Sequence, residues 1–317
     1  MLETVLLDIV QPHTAGDPMS NEKWLNCRLI DIQERLDENH KVSLPVISRL
    51  LKKHDYRLRA NVKQLTGKQH PDRNCQFEHI SEQRAKHQAT GQPILSVDTK
   101  KKELVGNFKN TGRVWCQTPE PVNVHDFRND AIGRAVPYGL YDQQHNRGTV
   151  YVGQSADTPA FAVDNIVRWC QTERLEYFPQ ATHLMIEADG GGSNSCRSRV
   201  WKRDIQEKVA DQFGLTITVC HYPTGTSKWN PIEHRLFSEI SKTWAGCPLR
   251  SFDAVLHYIR DTKTQTGLTV QAHLVTETYQ KGVKVPDREM DALNIRFHDV
   301  CPQWNYTIHP RLHPSPA

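Results

Sequence analysis

The 317-residue sequence predicts an α/β chain, a mixed sheet with helices on both faces, preceded by a small helical region. Two observations carry this. From Ile94 onward, segments that read as a meander of strands give way to alternating strands and helices. Before Ile94, apolar residues recur at helical spacing instead.

With Ser20 as N-cap, Leu25, Leu29, Ile32 and Leu36 lie on one helical face up to Asp37. After the break at NHKVS, Ser43 is a second cap, Pro45 falls in the first turn, and Val46, Ile47, Leu50 and Leu51 share a face. Two short helices on a tight polar connection make residues 1–69 a candidate helix-turn-helix region. Its second helix would then lie in the major groove of DNA, with Arg49, Lys52 and Lys53 on polar positions. Any αα-hairpin shares this pattern. The basic RLRANVKQLTGK that follows, with Arg57 and Arg59, adds the charge that a polyanion would need. Residues 70–92 are polar, with a helix ending before GQP, and read as a connector.

The core is expected over residues 93–250. ILSVD is a strand with Ile94, Ser96 and Asp98 on one face, and ELVGNFKNTGRVW suggests a second after an exposed basic turn. Thr118 to Asp130 reads as loop, AVPYGLYD and GTVYVGQ as one or two further strands, and TPAFAVDNIVRWCQTERL as a helix burying Phe161, Ile166, Trp169 and Cys170. HLMIEAD and LTITVCHYP are strands, each followed by a helix. A meander followed by such alternation is the order of a ribonuclease H-like domain. Residues 251–317 form a C-terminal extension packed on the core: a helix and strand through FDAVLHYIRDTKTQTGLTVQAHLV, then a short helix and irregular chain.

Composition narrows the class. With 24% charged and 37% apolar residues, no apolar run of 18 and no signal peptide in MLETVLLDIV, a cytoplasmic protein without a membrane span is expected. The eight cysteines show no CxxC pair, so reduced core thiols fit better than zinc ligands or bridges. The net charge of +4 is unevenly spread. Nine basic residues against Asp55 and Asp72 crowd the stretch from Lys41 to Arg73, and the rest of the chain is slightly acidic. A basic segment on an acidic body suits a polyanion-binding module, although a solvated helix face would look the same.

The acids carry the chemistry. Asp189 ends a strand and precedes three glycines, the place where open α/β sheets hold ligands. An Asp-Gly turn cap would read identically, and Glu187 shares its strand face. Glu233 follows Asn230 and Pro231 as in a capping box, yet also heads the apolar stripe Leu236, Phe237, Ile240 and Trp244. A carboxylate facing a core needs a partner, which a divalent cation would supply. Three carboxylates converging from the strands ending at Asp98 and Asp189 and from the Glu233 helix would select Mg²⁺ or Mn²⁺, and two such ions support phosphoryl transfer on nucleic acid. Nearby, Lys100, Lys101, Lys102, Lys228 and Trp229 could contact phosphates or stack on an unpaired base. An exposed basic turn and a packing Trp would give the same residues.

ILSVDTKKKELVGNFKNTGRVW, HLMIEADGGGSNSCRSRVWK and LTITVCHYPTGTSKWNPIEHRLFSEISKTW, with GDPMS, HPDRNCQFE and QWNYTIHP, resemble the Rhodopirellula transposase family of bacterial insertion-sequence DDE transposases. WNPIEH is also similar to the third-acid motif of the mariner-like group. The resemblance implies Asp98, Asp189 and Glu233 as the DDE triad, binding two Mg²⁺ or Mn²⁺ ions in a ribonuclease H-like domain. It further implies DNA strand cleavage and transfer at the ends of an insertion sequence, double-stranded element ends and target DNA as partners, and a homo-oligomer on paired ends. Only MLETVLLDIVQPHTA precedes the GDP segment, where the family carries more helical sequence, so a shortened N-terminus is expected. A truncated DNA-binding remnant or regulator, or a cellular ribonuclease H-like nuclease, are the alternative functions.

Overall fold

A computed structural model of the chain describes residues 2–16, 23–25, 27–37, 40–54, 56, 70–223 and 225–311, with side chains at all of these but 13–16, 23, 24 and 227. The chain divides into two compact units, residues 1–65 and 66–317. Among the described residues no helix is long and apolar enough to cross a membrane.

In the first unit, α1 (Leu2–Val10) leads into a short antiparallel ribbon of β1 (Thr14–Gly16) and β2 (Lys23–Leu25), followed by α2 (Leu29–Asp37) and α3 (Leu44–Lys53). Leu6 and Val10 of α1, Ile32 and Leu36 of α2, and Ile47 and Leu51 of α3 form its core. The expected apolar face of α3 is present, and Pro45 lies in its first turn, but the Ser43 hydroxyl makes no capping bond. The first expected helix begins later than its apolar spacing suggested. Leu25 belongs to β2, and α2 is opened by Asp31, whose carboxylate accepts the Arg28 N–H at 2.8 Å. Ser20 lies outside the described residues.

The second unit is built on one mixed sheet. Its strands are β3 (Ile94–Thr99), β4 (Glu103–Val105), β5 (Gly133–Asp142), β6 (Arg147–Gly153), β7 (His183–Asp189), β8 (Thr216–Tyr222), β9 (Thr269–Val275), β10 (Ile295–Phe297) and β11 (Asn305–Ile308). They lie in the order β10-β11-β8-β7-β3-β5-β6-β9, with β4 paired to β5. β3, β5 and β6 form an antiparallel meander, while β7 and β8 run parallel to β3 on its other side. This is the ribonuclease H-like arrangement. The C-terminal extension supplies the strand expected in LTVQAHLV, β9 beside β6, and the stretch after it, expected to be irregular, adds the β10–β11 hairpin beside β8.

Helices cover both faces. On one, α5 (Pro159–Gln171) buries Phe161, Ile166, Trp169 and Cys170 as its spacing predicted. It is followed by the short α6 (Glu173–Tyr177). Beside α5 runs α7, which starts at Arg199–Asp204 and continues through a π-helical stretch, Ile205–Ala210, to Asp211–Phe213. These pack on Leu95, Val97, Tyr138, Leu140, Ile186 and Val219 of the sheet.

The opposite face carries α4 (Arg73–Ala89), α8, which begins with the π-helical turn Glu233–Phe237 and continues as Ser238–Thr243, and α9 (Phe252–Arg260). The remaining helix, α10 (Asp287–Asp291), is one short turn in the tail. The stretch expected to be a connector, 70–92, is thus largely α4, laid against β7. Its hold is chiefly polar: buried Gln76 donates to the His221 carbonyl and to Asn305 Oδ1, both at 2.8 Å. All eight cysteines are free; Cys170, Cys196, Cys220 and Cys301 are buried, whereas Cys75 and Cys116 are exposed rather than in the core.

Candidate active site

β3 is the strand at which the sheet changes direction, antiparallel to β5 on one side and parallel to β7 on the other. Ladder pairs run from Ile94 opposite Met185 to Val97 opposite Ala188. The next residues, Asp98 and Asp189, therefore end neighbouring strands side by side, at the carboxyl edge where such sheets hold ligands.

The third acid arrives on a helix that can come unusually close to the sheet. A Cβ at Gly139 would lie 2.6 Å from the Phe237 ring, and one at Gly148 would run into Leu236, so glycine on β5 and β6 seats the first turns of α8. Glu233 leads the buried stripe Leu236, Phe237, Ile240 and Trp244, as expected. Its carboxyl reaches that of Asp98 closely enough to share a hydrogen bond. The capping-box alternative does not account for Asn230. Its side chain is turned away from the helix start, accepting from the Ser96 hydroxyl and donating from Nδ2 to Asp189 Oδ1 at 3.3 Å.

Burial, then the charge of Asp189, pushes the Asp98 carboxyl up to about 8, against the pull of a 2.7 Å hydrogen bond from the Thr99 N–H. Burial also lifts Asp189 to about 6; the Asn230 bond works against this and the Glu233 charge with it. Two neighbouring carboxyl groups that resist ionisation, with Glu233 beside them, are what a divalent cation relieves. Their all-oxygen donor set fits Mg²⁺ or Mn²⁺. Among the described residues no three His, Cys, Asp or Glu side chains are already arranged to hold a metal ion, so the acids are near one another without forming a finished cage.

Glu187 is committed elsewhere. It is fully buried and takes two 2.8 Å hydrogen bonds from Arg84 of α4, one from Gln143 at 2.8 Å and one from the Tyr222 hydroxyl at 2.9 Å. The Arg84 pair and these neutral donors offset the cost of burying its charge.

Asp98 and Asp189 lie in the wall of a groove of about 920 Å³, together with Gly190–Gly192, Lys100–Lys102, Arg197 and Trp304. The basic residues named from sequence differ in what they offer it. Lys101 is exposed. Lys102 pairs with Asp157 at 3.0 Å, and Lys100 is buried with its ammonium 4.7 Å from the centre of the Trp244 ring and near Glu103. Lys228 is exposed, its ammonium over the half-exposed Trp229 ring, which packs edge-on against Phe77. In the first unit Arg49 and Lys52 are exposed, and Lys53 pairs with Glu3 of α1 at 2.9 Å. Arg57 and Arg59 lie outside the described residues. Ser96, Asn230 and Asp157 were missed as site residues; the available signal was a serine in an otherwise apolar strand, on the face of Asp98.

A family model described as Rhodopirellula transposase DDE domain matches residues 5–310. No curated protein matches the chain. Similar solved structures include the Mos1 transposase paired-end complex with left transposon end, at 13% identity and a TM-score of 0.42 over 77% of this chain and 73% of that one. The pre-cleavage Mos1 transpososome is 14% identical with a TM-score of 0.43 over 77% and 73%. The mariner Mos1 paired-end complex with Mg is 12% identical with a TM-score of 0.43 over 81% and 68%.

Proposed function

Because the chain belongs to the Rhodopirellula transposase DDE family, we propose that Asp98, Asp189 and Glu233 are the acids with which this transposase cuts and rejoins DNA at the ends of an insertion sequence. The observation that carries the assignment is the meeting of three half-buried carboxyl groups from β3, β7 and α8 at one end of the sheet, two of them in the wall of an open groove. Two bound Mg²⁺ or Mn²⁺ ions would supply a nucleophilic oxygen on one side of a phosphodiester and stabilise the leaving oxygen on the other.

The chain's own residues would do the rest. Asp98 and Asp189, on adjacent strands, offer oxygens from a rigid sheet, and Glu233 adds one from a helix held by Gly139 and Gly148. The glycines after Asp189 leave open space, since a Cβ at Gly191 or Gly192 would meet nothing within 4 Å, and so let a DNA backbone approach. Lys101 in the groove wall and exposed Lys228 would receive phosphates, Trp229 offers a face to an unpaired base, and Arg49 and Lys52 of the first unit supply further cationic contacts for double-stranded DNA. A homo-oligomer on paired ends is part of this reading.

The test is nicking of DNA carrying the element's ends in the presence of Mg²⁺ or Mn²⁺. Asp189→Asn or Glu233→Gln should lower the rate by at least ~100-fold while gel-shift binding persists. Full activity in either variant would refute the assignment, and salt-dependent binding without cleavage at any divalent ion would favour the DNA-binding regulator.

A further inference from the structure

A one-way chain of hydrogen bonds runs beneath the three acids. The Ile232 N–H donates to Ser96 Oγ at 3.1 Å, so the hydroxyl proton of Ser96 is left for Asn230 Oδ1. That bond fixes the orientation of the Asn230 amide and turns its NH₂ group toward Asp189 Oδ1, 3.3 Å away. Ser96 and Asn230 are both fully buried. Each polar atom in the chain therefore depends on the next, since no water reaches them to take over.

The chain touches all three elements of the site. Ser96 lies two residues before Asp98 on β3, Asp189 ends β7, and Ile232 is the residue before Glu233. We propose that Ser96 and Asn230 are positioning residues. Asn230 holds one oxygen of Asp189 so that the other faces the groove, and Ser96 ties the start of α8, and with it Glu233, to the strand that carries Asp98. A carboxylate held by a neutral donor keeps its charge for a cation, whereas an Arg or Lys at the same place would neutralise it. The buried asparagine thus supports divalent-ion binding without competing for it. Outer partners of ligating carboxylates typically contribute about 10–100-fold in metal affinity.

The inference rests on the acid assignment above, and the experiment separates the two. Mn²⁺ binding to the full-length protein without DNA is measured by calorimetry, with folding followed by circular dichroism. Asn230→Ala should weaken Mn²⁺ binding by about 10–100-fold while the spectrum and DNA gel shift stay unchanged. Ser96→Ala removes a single oxygen, so it serves if the first variant is poorly folded, and should weaken binding in the same direction by a smaller factor. Asp189→Asn is the reference. If it abolishes Mn²⁺ binding while folded Asn230→Ala and Ser96→Ala bind as the wild type does, the positioning role is wrong and the acid assignment stands. If Asp189→Asn also binds normally, both fall.

Discussion

An aspartate whose carboxyl stays protonated near neutrality costs the fold stability when it is forced to ionise. The folded value of Asp98, about 8, lies above its ordinary 3.8. Between those limits the folded chain holds a proton that the unfolded chain has released, so this residue's contribution falls as pH rises through the window. Asp98→Asn removes the ionisable group. In metal-free buffer at pH 8 its melting temperature should exceed that of the wild type by ~2 °C or more, and the gap should close toward pH 4. Added Mg²⁺ should raise the wild type alone. A variant that melts at or below the wild type at pH 8 would remove the electrostatic account of this site.

Elements decide whether such a residue reaches its neighbours. α8 seats Glu233 only because β5 and β6 present glycine beneath it. Gly148→Val would drive a side chain into Leu236 and lift the first turn of the helix. Overpacking of this kind costs about 1–3 kcal/mol, readable by urea denaturation, and nicking should fall by far more than stability does. The outcome against this is a variant that loses stability yet nicks at the wild-type rate. The same scale explains what could be read from the sequence. β3, β7, α5 and the apolar stripe of α8 follow from periodicity, because their faces are set by apolar burial. α4 could be foreseen as a helix but not as part of the sheet's cover, because Gln76 and Arg84 hold it through polar contacts that leave no apolar period. Glu187 and Asp189 share a strand face in the sequence, and what parts them is tertiary: Arg84 stands opposite one and Asn230 opposite the other. α1 is legible in the spacing of Leu2, Leu6 and Val10, an apolar run too short and too acidic in its flanks for a signal peptide.

At the scale of the whole molecule, the catalytic sheet is bordered by strands that follow the three acids in the chain. β9 completes one edge, and the β10–β11 hairpin completes the other, where Tyr306 and Ile308 enter the core that also holds Trp201 and Val219. A chain ending at Gly267 would keep Asp98, Asp189 and Glu233 and still leave β6 and β8, both buried along nearly their whole length, with unpaired backbone groups. Such a chain is expected in the insoluble fraction on expression. Recovery of a soluble, monomeric product would show that the edges need no cover. During synthesis the same arrangement imposes an order. All three acids leave the ribosome before either border strand exists, so the nascent domain must wait with its edges open until β9 and then the β10–β11 hairpin arrive. The catalytic sheet of this transposase can therefore close only after the chain beyond Gly267 has been made.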